Sequence, residues 1–324
     1  MILTADFGGT IVKLGLLENN DVTLYRQVKS PSSRTSDEWL PAIKDEVEEM
    51  CRSSGRELND LEGMIWAMPM VIDPGLRRAS RTFGKFDDAL QEDFAQRAEA
   101  VFGLPLLLEN DARAAALGEW QLGAGNGCDD VAMITLGTGI GTAIIQHGLP
   151  LRGRSGMAGN LGGLSITHLG TSDHHRVAPG CIEGFVASWA IPQRAVEMPG
   201  FSRSSLSRVE VIDYKTIFTE AEQGDLLAIE LRELAIEAWS ALALNLIQSF
   251  DPARVIVGGG IMASADTILP KMREFMQRHC IQCGGDVEIV SAQLGDQAAL
   301  LGCEWLWNQE KLRVLRGSQP WHPA

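Results

Sequence analysis

A carboxylate and an amide stand together where an apolar segment of the chain meets an Ala-rich one. The apolar segment, 106–108, is typical of a short strand, and the spacing predicts a helix over 111–121. Asp111 then lies at a strand end and a helix start, beside Asn110. Such a rigid, partly desolvated position suits a general base. Asn and Asp are also ordinary helix caps, so the segment alone is ambiguous.

Two glycine-rich turns point to phosphate chemistry. Asp6-Phe-Gly-Gly-Thr-Ile-Val-Lys13 lies in a predicted hairpin, and Leu136-Gly-Thr-Gly-Ile-Gly141 lies between two later strands. Glycine allows positive φ and close approach of a phosphate to the backbone, although plain hairpins share this composition. Asp6 could hold Mg²⁺ through water. The candidate phosphate contacts are Asp6, Gly8, Gly9, Thr10, Lys13, Gly137, Thr138 and Gly139.

A third glycine segment, Gly258-Gly259-Gly260, follows a Val- and Ile-rich strand and precedes a predicted helix. Bare backbone there would let a flat ring or a ribose lie against it. Taken alone, an ordinary strand-to-helix turn is the better interpretation.

Composition excludes several classes of function. The formal charge of −14 gives no electrostatic support for nucleic-acid binding. No apolar run approaches the ~20 residues that cross a bilayer, and the N-terminus lacks the features of a signal peptide. The six cysteines show no framework of spacings, which favours a reducing cytoplasm. We therefore expect a cytoplasmic protein without nucleic-acid or membrane partners.

The order of elements predicts an α/β protein. Strands over 2–7, 11–17 and 22–28 form an antiparallel meander, and a later strand–turn–strand pattern from residue 131 suggests an internal duplication. Apolar spacing also predicts a helix over 87–103, and further helices are predicted at about 182–194 and 225–250. We predict an N-terminal domain over 1–122 and a C-terminal domain over 123–295, with a last helix at about 296–310 packing back on the first.

Together these motifs resemble the ROK family of sugar kinases. The resemblance also includes Gly180-Cys-Ile-Glu183 and the stretch 245–260, and it runs from residue 1 to about 305. It implies an actin-like ATPase (ribonuclease-H-like) fold of two α/β domains with a cleft between them, and commonly a homodimer. Repressors of the family carry an N-terminal helix-turn-helix domain, for which this chain has no room before its first glycine turn.

The resemblance also assigns roles. Asp111 corresponds to the catalytic base, and Asn110 and Glu183 correspond to sugar ligands. The two glycine turns correspond to the grips on the phosphates of ATP, with Mg²⁺, and 258–260 corresponds to the adenosine platform. Phosphoryl transfer needs this combination of positioning, charge neutralisation and a base.

Two family motifs are altered. Asn160-Leu-Gly-Gly163 stands in place of Glu-x-Gly-His, whose glutamate contacts the sugar, so Asn160 becomes a candidate substrate contact. Of four usual zinc ligands, Cys181 alone is clearly retained, so we expect no structural zinc. A different site built from His168, His174, His175 and Cys181 is the alternative.

A basic loop stands out in this acidic chain. Its four cations could meet an anionic substrate or the γ-phosphate, although charge runs are more often solvated. They are Arg77, Arg78, Arg81 and Lys85.

Two functions from different classes remain. The first is an ATP-dependent kinase of a sugar or sugar-like polyol, with Asp111 as base. The second is a non-catalytic sugar-sensing or scaffold protein that has kept the fold. Retention of both the base and the phosphate turns favours the kinase.

Overall fold

The computed structural model describes residues 1–32, 35–91, 94–163, 180–280 and 287–315. The chain divides into two compact units. Unit 1 contains 1–127, 149–159 and the chain from Gln293 onward, whereas unit 2 contains 128–148 and 160–292. The segment 149–159 therefore belongs to unit 1, although the sequence placed it in the second domain.

Strands and helices alternate along much of the chain. The strands are β1 (Ile2–Phe7), β2 (Ile11–Glu18), β3 (Asp21–Lys29), β4 (Met64–Met68), β5 (Met70–Ile72), β6 (Ala79–Thr82), β7 (Leu106–Asn110), β8 (Val131–Leu136), β9 (Ile140–Gln146), β10 (Leu149–Pro150), β11 (Arg254–Gly258) and β12 (Glu288–Ser291). The helices are α1 (Ser36–Ser53), α2 (Phe94–Phe102), α3 (Asp111–Leu122), α4 (Ile182–Val186), α5 (Ile191–Glu197), α6 (Tyr214–Glu222), α7 (Leu226–Phe250), α8 (Ala265–His279) and α9 (Ala298–Leu315).

The two main sheets have the same topology. In unit 1 the strand order is β3-β2-β1-β4-β7, with an antiparallel meander followed by parallel strands. In the second sheet the order is β10-β9-β8-β11-β12, again with one antiparallel pair and then parallel strands. This repetition agrees with the internal duplication inferred from the sequence. In both sheets the first hairpin carries one of the glycine turns.

An aromatic cluster forms the core of unit 1. Phe7 lies at the end of β1 and contacts Trp39, Trp66 and Phe86, with ring centroids 5.1 to 5.6 Å apart. All four side chains are essentially inaccessible to solvent. Edge and tilted contacts of this kind add to the free energy of apolar burial. The cluster therefore fixes the end of β1, from which the first glycine turn begins.

The last helix, α9, completes unit 1 by packing on α3. The two helices approach so closely that a Cβ at Gly118 would meet the Ala298 carbonyl, and a Cβ at Gly302 would meet the Ala114 carbonyl. The buried Glu119 carboxylate accepts hydrogen bonds from the amides of Gln293 (2.9 Å) and Leu294 (2.7 Å), just before α9. These amides satisfy a carboxylate that would otherwise be costly to bury.

The long helix α7 follows its prediction closely. Asp225 caps its first turn through Ala228 N, and Asp251 ends it with a left-handed φ of +46° before Pro252. Among the described helices, none combines the length and apolarity that crossing a membrane requires.

Two predicted helices are interrupted. The predicted helix over 87–103 is a 3₁₀ turn, 87–90, followed by α2, because Gln91 is extended. The predicted helix over 182–194 is split into α4 and α5, because Ala187 is extended. After that break, the amides of Ser188 and Trp189 bond to the carbonyls of Gly137 and Thr138, so they leave the helical hydrogen-bond pattern.

The cysteines that the structure describes are of two kinds. Cys51, Cys128, Cys181 and Cys303 are free, whereas Cys280 is disulfide-bonded, which departs from the expectation for a reducing compartment.

Candidate active site

Asn110 and Asp111 stand where β7 ends and α3 begins. The Asn110 carbonyl oxygen Oδ1 accepts from Arg113 N (3.0 Å), which makes Asn110 the N-cap of α3. Its amide Nδ2 donates to Met70 O (3.2 Å) and to Asp111 Oδ1 (3.0 Å). Both amide hydrogens are therefore engaged, and Asn110 can offer a substrate only the remaining lone pair of Oδ1. Its clearest role in this geometry is to orient Asp111.

The Asp111 carboxylate is held in a setting that favours its protonated form. Burial and the nearby Asp6 carboxylate raise the pKa of Asp111 to about 7, although Ala112 N donates to Oδ1 at 2.8 Å and Lys85 attracts the charged form. An acid with a pKa near neutrality can both accept and release a proton at physiological pH. Strong perturbation of this kind, in a fixed carboxylate, is typical of functional sites.

Asp6 and Lys13 face each other across the β1–β2 hairpin, in direct register. Lys13 Nζ lies 3.2 Å from Asp6 Oδ2 and 2.9 Å from the exposed Asp296. Burial raises the pKa of Asp6 in spite of the Lys13 ammonium. Two carboxylates, Asp6 and Asp111, therefore interact unfavourably in unit 1, which is the setting that a bound cation would relieve.

The first turn contains glycine because its surroundings leave no space for a side chain. Neither Gly8 nor Gly9 uses the positive φ that glycine permits. A Cβ on Gly8 would lie 2.7 Å from the Ile11 carbonyl oxygen, and a Cβ on Gly9 would overlap the end of Lys85. Thr10 is exposed at the tip of the same turn.

The second turn lies against Glu183. A Cβ on Gly139 would come within 2.6 Å of Glu183 Oε1, whereas a Cβ on Gly137 would meet no described atom within 4 Å. Gly137, Thr138 and Gly139 also lack positive φ. The exposed Thr138 and the open face of Gly137 are thus the accessible parts of this turn. Gly139, a predicted phosphate contact, therefore lies beside Glu183, a predicted sugar ligand.

The triple glycine supports packing of β11 on β8. Gly259 has a φ of +96°, and a Cβ there would collide with the backbone of Leu136. Gly258 lies close to Met133 and Ala292, where a Cβ would be 3.0 Å from each side chain. Gly260 alone has open space around it. Packing around β11 therefore explains why Gly258 and Gly259 are glycine, independently of any bound nucleotide.

A buried charge cluster beneath Asn110 was missed in the sequence. Glu109 is fully inaccessible and lies 2.8 Å from Arg113 Nη1 and 2.6 Å from Arg152 Nη2. Burial by itself would raise the pKa of Glu109, but Arg152 and Arg113 hold it below its ordinary value. Arg113 also donates to the Gly156 carbonyl (2.8 Å), so the cluster ties the segment 149–159 to the strand end that carries Asp111.

The altered family motifs are only partly described. Asn160 is half-buried, and a Cβ at Gly163 would meet no described atom within 4 Å. The buried Cys181 caps α4, its Sγ accepting from Gly184 N at 3.3 Å. His168, His174 and His175 lie outside the described residues, so the alternative zinc site stays a prediction. Among the described residues, no three or more His, Cys, Asp or Glu side chains group as metal ligands.

Comparison with known proteins identifies the class and then the family. The two sheets of matching topology belong to the actin-like ATPase fold, which is also the fold of the structural neighbours. The ROK family model matches residues 2–310. The chain therefore belongs to the ROK family.

Relatives of known name lie within this family. A glucokinase of Thermotoga maritima is 30% identical over 93% of this chain and 95% of its own length. A beta-glucoside kinase of Listeria monocytogenes is 27% identical over 96% of this chain and 99% of its own length. A ROK family glucokinase of Streptomyces griseus, solved with glucose and AMPPNP, has a TM-score of 0.79 at 29% identity and covers 95% of this chain and 99% of that one.

Proposed function

We propose that this protein is an ATP-dependent kinase that phosphorylates a hydroxyl group of a sugar or a sugar-like polyol. The observation that carries the proposal is the Asp111 carboxylate, fixed at the end of β7, with a pKa of about 7 and the glycine turn of Asp6 and Lys13 in the same unit. The three ROK relatives named above, two glucokinases and a beta-glucoside kinase, support it.

In the proposed reaction, Asp111 accepts the proton of the attacking hydroxyl. The hydroxyl oxygen forms a bond to the γ-phosphorus, the bond from that phosphorus to the β–γ bridging oxygen breaks, and ADP leaves. Asn110 holds the carboxylate in place through Nδ2. Thr10, Gly8 and Gly9 of the first turn are proposed contacts of the phosphates. Because Glu183 and Asn160 occupy family positions for sugar ligands, we assign them to the substrate.

A magnesium ion fits the residues of unit 1. Asp6 keeps one carboxylate oxygen away from Lys13. Burial raises the pKa of Asp6, and burial together with the Asp6 charge raises the pKa of Asp111. Mg²⁺ commonly binds through one or two carboxylates, several waters and substrate phosphates. Bound there, it would neutralise charge on the phosphates. Asp6 would hold it through water.

The pH dependence of the reaction follows from Asp111. A raised pKa means that the carboxylate holds its proton up to about pH 7, and only the deprotonated form can act as base. We expect kcat/KM to fall about tenfold per pH unit below that value, because kcat/KM reports the groups of the free enzyme. Rates over pH 5 to 9 measure the acid limb of the profile, which is the range where kcat/KM falls as the pH is lowered. A limb near pH 4, the ordinary value for aspartate, would contradict the assignment.

Substrate preference should depart from plain glucose. Asn160 replaces an acidic acceptor with an amide that also donates, and Gly163 leaves space where the family has a side chain. A site matched to one hydroxyl pattern rejects analogues that leave its buried polar groups unpaired. We expect a bulkier, modified or differently hydroxylated substrate, such as an N-acyl amino sugar, a less common hexose or a cyclitol.

The test of the function is ADP formation over such a panel, with glucose included, followed by kcat/KM for each active compound. Turnover of at least one member with ATP supports the kinase. If glucose were the best substrate, with the efficiency of a dedicated enzyme, the specificity argument would be wrong. If nothing were turned over but a sugar still bound in calorimetry, the non-catalytic sugar-sensing alternative would replace the kinase.

A further inference from the structure

Lys85 is a cation at the first glycine turn with no assigned role. Its Nζ and Cε lie against Gly9, in the space that a side chain on Gly9 would fill. Among the described residues it forms no ion pair or hydrogen bond, in contrast to Arg77 of the same loop, which pairs with Glu99 at 2.5 Å. Lys85 is thus a half-buried residue whose ammonium no described carboxylate contacts.

The backbone holds Lys85 in this position. Gly84 before it has a φ of +77°, and Phe86 after it has a left-handed φ of +54°. A bulky residue adopts that conformation only where its surroundings impose it. Here the Phe86 ring is buried against Phe7 (5.6 Å) and Trp39 (5.8 Å). Since Phe7 directly precedes the turn, one aromatic cluster fixes both the turn and the lysine.

Lys85 also lies within electrostatic reach of the proposed base. Its charge favours the ionised form of Asp111, and so lowers the pKa that burial and Asp6 raise. Arg113, on α3, is the other cation whose charge interacts with Asp111. Since Arg113 is committed to Glu109 and to backbone carbonyls, Lys85 is the cation left available to a ligand.

We propose that Lys85 is a catalytic residue whose ammonium contacts the phosphoryl group as it passes from ATP to the acceptor hydroxyl. This inference rests on the proposed function. Lys85 lies against the glycine turn that is proposed to bind the phosphates, and its charge interacts with Asp111. It is therefore in a position to contact the phosphoryl group during transfer. Phosphoryl transfer is accelerated by a fixed, positively charged group that contacts the non-bridging oxygens of the phosphoryl group. The anionic phosphoryl group would also supply the missing partner of Lys85.

The test compares three variants on the best substrate of the panel. Lys85→Met should lower kcat about 10²- to 10³-fold while the KM values for sugar and ATP change little, because the contact tightens in the transition state. Lys85→Arg keeps a cation and should recover at least tenfold over Lys85→Met. Arg81→Met is the matched control, because Arg81 is an exposed cation on β6, four positions before Lys85, and it should leave kcat unchanged.

A second readout separates this role from a structural one. Loss of the Lys85 charge should move the acid limb of kcat/KM to higher pH, because this charge lowers the pKa of Asp111. Asp6, which raises that pKa, and Arg113, which interacts with Asp111, remain in the variant. The limb in Lys85→Arg should stay near that of the wild type.

Three results would overturn the inference. The first is a kcat for Lys85→Met within threefold of the wild type. The second is a loss confined to the KM of the sugar, which would assign Lys85 to an anionic group on that substrate. The third is no turnover by the wild type, which would also remove the proposed function. The first two leave the kinase intact and reject Lys85 alone.

Discussion

Asp111→Asn is expected to lower kcat by about 10²- to 10⁴-fold, the usual effect of removing a positioned base. The amide is nearly the same shape, but it cannot accept the proton of the hydroxyl. Binding of ADP and of the sugar should change little, because the Asn110 cap and the glycine turn are untouched. Steady-state rates and calorimetry give the two quantities. Near-wild-type turnover by a folded Asp111→Asn variant would remove the base assignment.

The same variant carries its own folding control. A carboxyl group whose pKa is raised in the folded state binds its proton more tightly there, so stability is lost as the pH rises from about 4 to about 7. Asp111→Asn removes this loss, so its Tm relative to that of the wild type should be higher at pH 8 than at pH 4, where Asp111 is protonated and neutral. Asp45→Asn, at an exposed position on α1, should alter neither kcat nor this pH dependence.

Glu109→Ala is expected to destabilise unit 1 by about 3–5 kcal/mol, because it leaves Arg113 and Arg152 buried without their counter-charge. Those side chains are only 4 and 5% exposed. Arg113 also makes the hydrogen bonds that fix 149–159 beside the start of α3. Turnover should fall with stability, since Asn110 and Asp111 directly follow Glu109. Denaturant unfolding curves measure the first effect, and rates at a temperature where the variant is folded measure the second.

A matched surface pair isolates the effect of burial. Glu46 lies 2.9 Å from Arg26 but is 44% exposed. Glu46→Ala should cost no more than about 1 kcal/mol, as exposed ion pairs do. Equal losses in the two variants would show that the Glu109 cluster is no more than another surface-type ion pair. The pH can serve as an independent check, because a lowered pKa at Glu109 means that its contribution is present above about pH 4.5 and lost as the pH falls.

The elements that the sequence predicted best have strong local signals. The β1–β2–β3 meander, α3 and α7 could be located because apolar periodicity, caps and turn residues agree within each. The helix predicted over 87–103 is interrupted where Gln91 is extended. The helix predicted over 182–194 is interrupted because a tertiary contact overrides the local pattern. Ser188 and Trp189 bond to the second glycine turn, and no feature of 182–194 alone encodes that partner.

The candidate site divides in the same way. Asp6 and Asp111 could be proposed because each stands at a strand end beside a motif of fixed order. Arg152 could not, because its partner Glu109 lies 43 positions earlier in the chain and only the folded structure brings the two together. The close approach of Lys85 to Gly9 was equally hidden, since it depends on a left-handed Phe86 that the sequence gives no reason to expect.

The return of α9 to α3 sets the order in which the nascent chain can mature. Residues 1–127 leave the ribosome first, but α3 lacks its glycine-to-carbonyl contacts with α9, and Glu119 lacks two of its amide partners, until residues beyond 293 have been made. Unit 2 is complete at residue 292, before that point. During translation the middle of the protein can therefore finish folding before its beginning. The segment that carries Asp111 must wait with Glu119 held by Ala124 N but without its other two amide donors, and incompletely packed segments of this kind are prone to misfold.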